Sequence, residues 1–235
     1  MASVLKSILP EKGIVTGPEK MYSAIMEYGF IPFFAGDIPG YSIEEITPPE
    51  CWFTSDNLGP WDWKIDCIRS GDIAYGKFIR SGKAAFATVE WYSHLRNYRR
   101  SLDKYSPDDI QKKAYEAILA KGSMTSRELR LLCGLPKGKM DAIMSKLQMA
   151  TLVITGDIER VYKGADLHYD GWQLTSYCTP EELFFDEGLP FPGASKKKKS
   201  LEVDCTPEES FLHLADHVRE LFPGTPDKAI KRLIG

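Results

Sequence analysis

The sequence predicts an α+β protein. Helix caps and glycine stops fall in order through its middle, β-branched runs bounded by turn residues follow them, and aromatic strands alternate with short helices before them. These observations divide the chain into an aromatic-rich α+β region over 1–104, a helix-and-hairpin domain over 105–178 and a helical extension over 179–235.

In the first part, Gly17-Pro18-Glu19 opens a helix that runs to Tyr28 and closes at Gly29. Phe30 to Phe34 then reads as a buried extended segment. Between Cys51 and Lys64 stand Trp52, Trp61 and Trp63, three of the five tryptophans. Such a cluster suits either a stacking pocket for a nucleobase or the aromatic core of a small domain. In the pocket reading, Asp56, Asp62 or Asp66 stands ready for proton chemistry or activation of water. Gly71-Asp72 precedes a strand over 73–79, Ser81-Gly82 turns it, and 84–91 returns. Ser93 to Lys104 follows as a basic connector carrying Arg96, Arg99 and Arg100. These arginines form either a phosphate-contacting edge or a linker paired to acidic flanks.

The middle is written in capping signals. Ser106 as N-cap, Pro107 at the first helical position and Asp108-Asp109 on the positive end of the dipole start one helix, which Gly122 stops. Thr125-Ser-Arg-Glu128 is a capping box opening a short second helix that ends at Gly134. Pro136 begins a third, with Met140, Ile143, Met144 and Leu147 on one apolar face. Then Thr151 to Thr155 reads as a strand, Gly156-Asp157 as a turn, Glu159 to Lys163 as the return strand and Gly171 to Thr175 as a further strand. That order is the order of a winged helix-turn-helix. Such modules read DNA through the third helix and the wing. Lys137, Lys139 and Lys146 are then expected toward the groove, and Arg160 and Lys163 on the wing. Gln148 is the side chain best suited to a base edge, so binding dominated by shape and backbone is expected. The plainer alternative is a solvated helix face in a protein-interaction module.

Charge supports a polyanionic partner. The net −3 hides a middle, residues 77–164, with 17 Lys/Arg against 9 Asp/Glu, a surplus of 8 between acidic flanks. Each phosphate contact releases a counterion, which is a physical reason for concentrating positive charge. Alternatively the flanks neutralise the middle once folded. With 43% hydrophobic and 27% charged residues the composition is globular, which excludes a disordered or fibrous chain. No apolar stretch approaches the roughly 20 residues of a membrane helix. Lys6, Glu11 and Lys12 leave no apolar core for a secretory leader. Five scattered cysteines without a C-x-x-C argue for a reducing cytoplasm.

Other patterns have simple explanations. Cys178-Thr-Pro-Glu-Glu and Cys205-Thr-Pro-Glu-Glu look like a repeat, but threonine caps account for both. His213 and His217 stand one helical turn apart without the glutamate of an H-E-x-x-H site, so no metal is expected. Lys196 to Lys199 reads as a solvated loop. No nucleotide fingerprint is present, and no cofactor is expected.

Taken together, Ser55-Asp-Asn-Leu-Gly-Pro-Trp-Asp-Trp-Lys64, Asp72-Ile-Ala-Tyr-Gly-Lys77, Glu90-Trp-Tyr92 and Tyr98-Arg-Arg100, followed by the winged helix, resemble the AlkZ-related proteins of bacteria. That group is related to the AlkZ (YcaQ-like) winged-helix DNA glycosylases, which excise alkylated or crosslinked bases. The resemblance covers most of the chain and implies double-stranded DNA as partner. The glycosylases are longer, carry tandem winged helices and handle water with a Gln-x-Gln or Gln-x-Asp pair. Here Gln111, Gln148 and Gln173 are followed two residues on by Lys113, Ala150 and Thr175, so no catalytic residue carries over. The resemblance therefore implies DNA binding without base excision. A hydrolase using an aspartate beside the tryptophans, or a protein-interaction module, are the alternatives.

Overall fold

Proline at the first helical position and a glycine in the left-handed region just past the end bound α1 (Pro18–Tyr28), as predicted. The computed structural model describes residues 14–54, 57–79, 82–185 and 199–235. After α1 come β1 (Phe30–Pro32), α2 (Pro60–Arg69), β2 (Ile73–Ile79), β3 (Lys83–Thr88) and α3 (Val89–Arg100). The chain continues through α4 (Asp109–Lys121), β4 (Ser123–Thr125), α5 (Ser126–Cys133) and α6 (Lys137–Met149) to β5 (Ile154–Arg160) and β6 (Gln173–Cys178). Helices α7 (Pro180–Phe185), α8 (Pro207–Leu221) and α9 (Asp227–Ile234) complete an α+β architecture. No helix among the described residues is long and apolar enough to cross a membrane, and all five cysteines are free thiols.

Two antiparallel sheets of three strands organise the chain, ordered β1-β3-β2 and β4-β6-β5. The first packs α1, α3, α8 and α9 around it. Phe30, Phe33, Phe78, Phe86 and Tyr92 join Leu214, Val218, Ile230 and Ile234 in one buried cluster. Trp63 is in that cluster, while Trp52 and Trp61 are partly buried against it. A second cluster holds Ala114, Ile118, Leu129, Met140, Ile143, Met144 and Leu147, the stripe expected from helical spacing.

The capping box at Thr125 and Glu128 forms, and a second one forms at Thr206 and Glu209. Gly134 takes the left-handed conformation that ends α5.

Several expectations need correction. Helix α4 is capped by Asp108, whose carboxylate accepts from Gln111 N, rather than by Ser106, because an aspartate two residues later offers the same bond. The expected basic connector is the helix α3, since it buries Tyr92, Ser93, Leu95 and Arg99 on one side. The return strand of the first hairpin accordingly stops at Thr88. Gly156-Asp157 is not a turn but a bulge within β5: the register against β6 shifts between Thr155 and Asp157. Asp157 is buried there and grips Arg69 of α2 at 2.9 and 3.1 Å, so the chain runs straight on to Arg160. The true return strand is β6, reached through a loop over 161–172.

Gly59 holds φ +63, and a Cβ there would lie 2.0 Å from the Cys51 carbonyl oxygen. That glycine lets Pro60 start α2 directly beneath the Cys51 turn.

Candidate nucleic-acid interface

Helix α6 turns about 100° per residue, which sorts its polar side chains onto two faces. Lys139 and Lys146 lie on one side and are exposed. Lys137, Asp141 and Gln148 lie on the other, along a cleft of about 700 Å³ between α5, α6 and β6 on one wall and α2 and β2 on the opposite one. The three lysines expected to share a groove-facing surface are thus divided.

Gln148 is 2% exposed. Its Oε1 accepts from Lys77 N at 2.9 Å, and its Nε2 donates to Met144 O at 3.1 Å. A Cβ on Gly76 would approach that Oε1 to 2.7 Å, so β2 can come this close only because residue 76 is glycine. The glutamine expected to read a base edge therefore fastens α6 to the first sheet.

Four cations line the cleft without an ion-pair partner among the described residues: Lys77 from β2, Arg127 and Arg130 from α5, and Lys137 from α6. Arg130 Nε is buried and its N–H finds no acceptor among them either. Aromatic side chains face the same space from Trp61, Tyr75 and Trp172, the last 61% exposed.

The α3 arginines have a different fate. Arg99 is wholly buried. Its Nε donates to Ile234 O at 2.8 Å, Nη2 donates to the same oxygen, and Nη1 donates to Met149 O at 3.0 Å. Burial pulls its pKa down to about 10. Arg96 and Arg100 both grip Glu181, at 2.7 and 2.9 Å. Burial by itself would raise the Glu181 pKa, but the two guanidinium groups hold it below the ordinary glutamate value. Of the two readings of this triad, pairing to the acidic flank describes Arg96 and Arg100, while Arg99 is a structural fastener.

Beside the cleft, Asp62 is also occupied. Arg160 holds it with two bonds, 2.9 and 2.8 Å, and Tyr169 OH donates to it at 2.9 Å. Burial would raise this carboxyl, but those bonds and the positive charge of Arg160 keep it below the ordinary aspartate value. A carboxylate so engaged is a poor proton acceptor. Asp66 is more exposed and lies 4.0 Å from Arg160. Asp56 lies outside the described residues, as do Lys196 to Lys198. Lys163 bonds Asp170 at 3.0 Å and covers the Trp172 ring at 4.6 Å.

The network continues to the cleft floor. Gln173 Nε2 donates to Tyr169 OH at 3.0 Å and to Trp61 O at 3.1 Å, while its Oε1 accepts from Lys64 Nζ at 2.5 Å. Lys64 is 2% exposed, and burial lowers its pKa to about 7. The sequence assigns no site role to Lys64, Tyr169 or Gln173, although Lys64 closes the Ser55–Lys64 segment. It also assigns none to Arg127 and Arg130, although their spacing of three on a capped helix puts both on one side.

His213 and His217 stack on Trp91 at 5.0 and 3.8 Å between ring centroids, so ring packing accounts for their spacing. No group of three His, Cys, Asp or Glu side chains among the described residues is arranged to hold a metal.

The model of the AlkZ-related family matches residues 15–235 of this chain. No curated protein and no solved structure matches it.

Proposed function

This chain belongs to the AlkZ-related family, and from that premise we propose that it is a DNA-repair-associated protein that binds double-stranded DNA and does not excise bases. Residues 105–178 act as a winged helix, with α4, α5 and α6 as its helices and β5–β6 as its wing. Duplex phosphates lie along the mouth of the cleft against Lys77, Arg127, Arg130 and Lys137. Lys163 on the wing and the outward Lys139 and Lys146 add weaker contacts.

The observation that carries this reading is the set of four cations on one cleft without ion-pair partners among the described residues, while the other described arginines are spent on carboxylates and carbonyls. Asp141 and Asp170 also line the cleft, but neither pairs with these four, and like charges held together without ion-pair partners favour an anion that completes them. The absent glutamine pair and the engagement of Asp62 by Arg160 support binding without base hydrolysis.

The test is polarisation of a labelled 20-mer duplex at two salt concentrations. Affinity is expected to fall steeply with salt and to drop at least tenfold in Arg127→Glu with Lys137→Glu. Affinity indifferent to salt, or unchanged by that pair, overturns the reading. Release of an alkylated base under single-turnover conditions overturns its second half.

A further inference from the structure

The floor of the cleft holds a group that phosphate binding leaves unexplained. Lys64 rises from α2 beneath the Trp61 ring, with Nζ 3.7 Å from the ring centroid. Two acceptors meet it, Trp61 O and Gln173 Oε1. Among the described residues it makes no ion pair: Asp62, on its own helix, is taken by Arg160 of β5 and Tyr169 of the following loop. An ammonium carries three N–H donors, whereas a neutral amine carries two and a lone pair. Here two oxygens and the Trp61 ring face surround Nζ, and no carboxylate holds it as a permanent cation.

We propose that Lys64 is a nucleophilic amine that captures the aldehyde of an abasic deoxyribose in DNA held across the cleft. The inference rests on the DNA-binding reading, which delivers the sugar. In the step, the Nζ lone pair adds to the aldehyde carbon C1′ of the ring-opened sugar. The carbinolamine hydroxyl takes a proton from solvent and leaves as water while the nitrogen lone pair forms the C=N bond, whose N–H proton then returns to solvent; no oxidant or reductant is needed, and added water reverses it. The surroundings fit such a guest. The unpaired cations lie where flanking phosphates would run, and the Trp61, Tyr75 and Trp172 rings line the space a missing base vacates. A cleft of about 700 Å³ lies within the roughly 300–1,000 Å³ of pockets that take small ligands. The lowered Lys64 pKa, about 7, keeps a large share of the amine neutral near neutrality, as amine nucleophiles require.

The experiment is borohydride trapping with the full chain and a duplex carrying one aldehydic abasic site. Hydride reduces the imine to a stable secondary amine, and peptide mass mapping of the wild-type adduct locates it without any variant. A duplex carrying a tetrahydrofuran in place of the abasic sugar has no aldehyde and measures binding separately. We expect the adduct on Lys64, rising with pH through about 7 and reduced at least tenfold in Lys64→Gln with its fold checked by thermal melting. Binding of the tetrahydrofuran duplex without a Lys64 adduct, or with adducts on other lysines, overturns the inference and leaves the DNA-binding reading standing. Failure to bind either duplex overturns both.

Discussion

The arginines of α3 and the cations of the cleft come from the same positively charged stretch of sequence, yet the fold treats them in opposite ways. Arg96, Arg99 and Arg100 are satisfied internally, two by Glu181 and one by main-chain carbonyls at Ile234 and Met149. Lys77, Arg127, Arg130 and Lys137 have no such partners among the described residues. The difference teaches that a charge surplus locates a binding surface only after the internally consumed charges are subtracted. Arginine suits the first task because its planar fork can bond several acceptors at once and is less strongly hydrated than an ammonium.

That contrast can be broken experimentally, beginning with the largest effect. Arg99→Ala leaves two carbonyls buried without donors and a cavity between α3, α6 and α9. The expected loss is about 3–5 kcal/mol of stability in urea unfolding, with duplex affinity of the folded fraction unchanged. Asp62→Asn removes the charge that Arg160 clamps, at an expected cost of about 1–3 kcal/mol. It also flattens the acid limb. Asp62 has a depressed folded pKa, so its stabilisation is present above the unfolded aspartate value and is lost as pH falls through the folded one. Stability measured against pH in both proteins checks the sign: wild type should lose its advantage over the variant on the acid side.

Smaller effects separate the cleft from the outward face of α6. Arg127→Glu with Lys137→Glu should weaken duplex binding at least tenfold, about 1.4 kcal/mol or more, with a shallower salt dependence. Lys139→Glu with Lys146→Glu should cost under threefold in the same polarisation assay. Equal losses from both pairs would mean that the outward face meets DNA as closely as the cleft does.

Much of the scaffold was legible because its signals are local. The Thr125–Glu128 box, the Gly134 stop and the Met140-Ile143-Met144-Leu147 stripe depend on residues within a turn or two of each other. The site was less legible because long-range pairings decide it. Nothing near Gln148 in sequence announces Gly76 and Lys77, and nothing near Asp62 announces Arg160. Gly156-Asp157 carries the chemistry of a turn, but the bond between Asp157 and Arg69 converts it into a bulge. Helix α3 was hidden for a similar reason: its basic face looks like a linker until Glu181 arrives from 81 residues away.

The two carboxylate–guanidinium forks on β5 have a geometric consequence. Asp62 and Arg69 are two turns apart on α2, about 10.5 Å, and Asp157 and Arg160 are three residues apart on β5, about 10 Å. The matched spans, with acid facing base at each end, act as a caliper that sets strand and helix to one separation and one polarity. Any guest must therefore fit an aperture of preset gauge, since widening it means unfastening both jaws together.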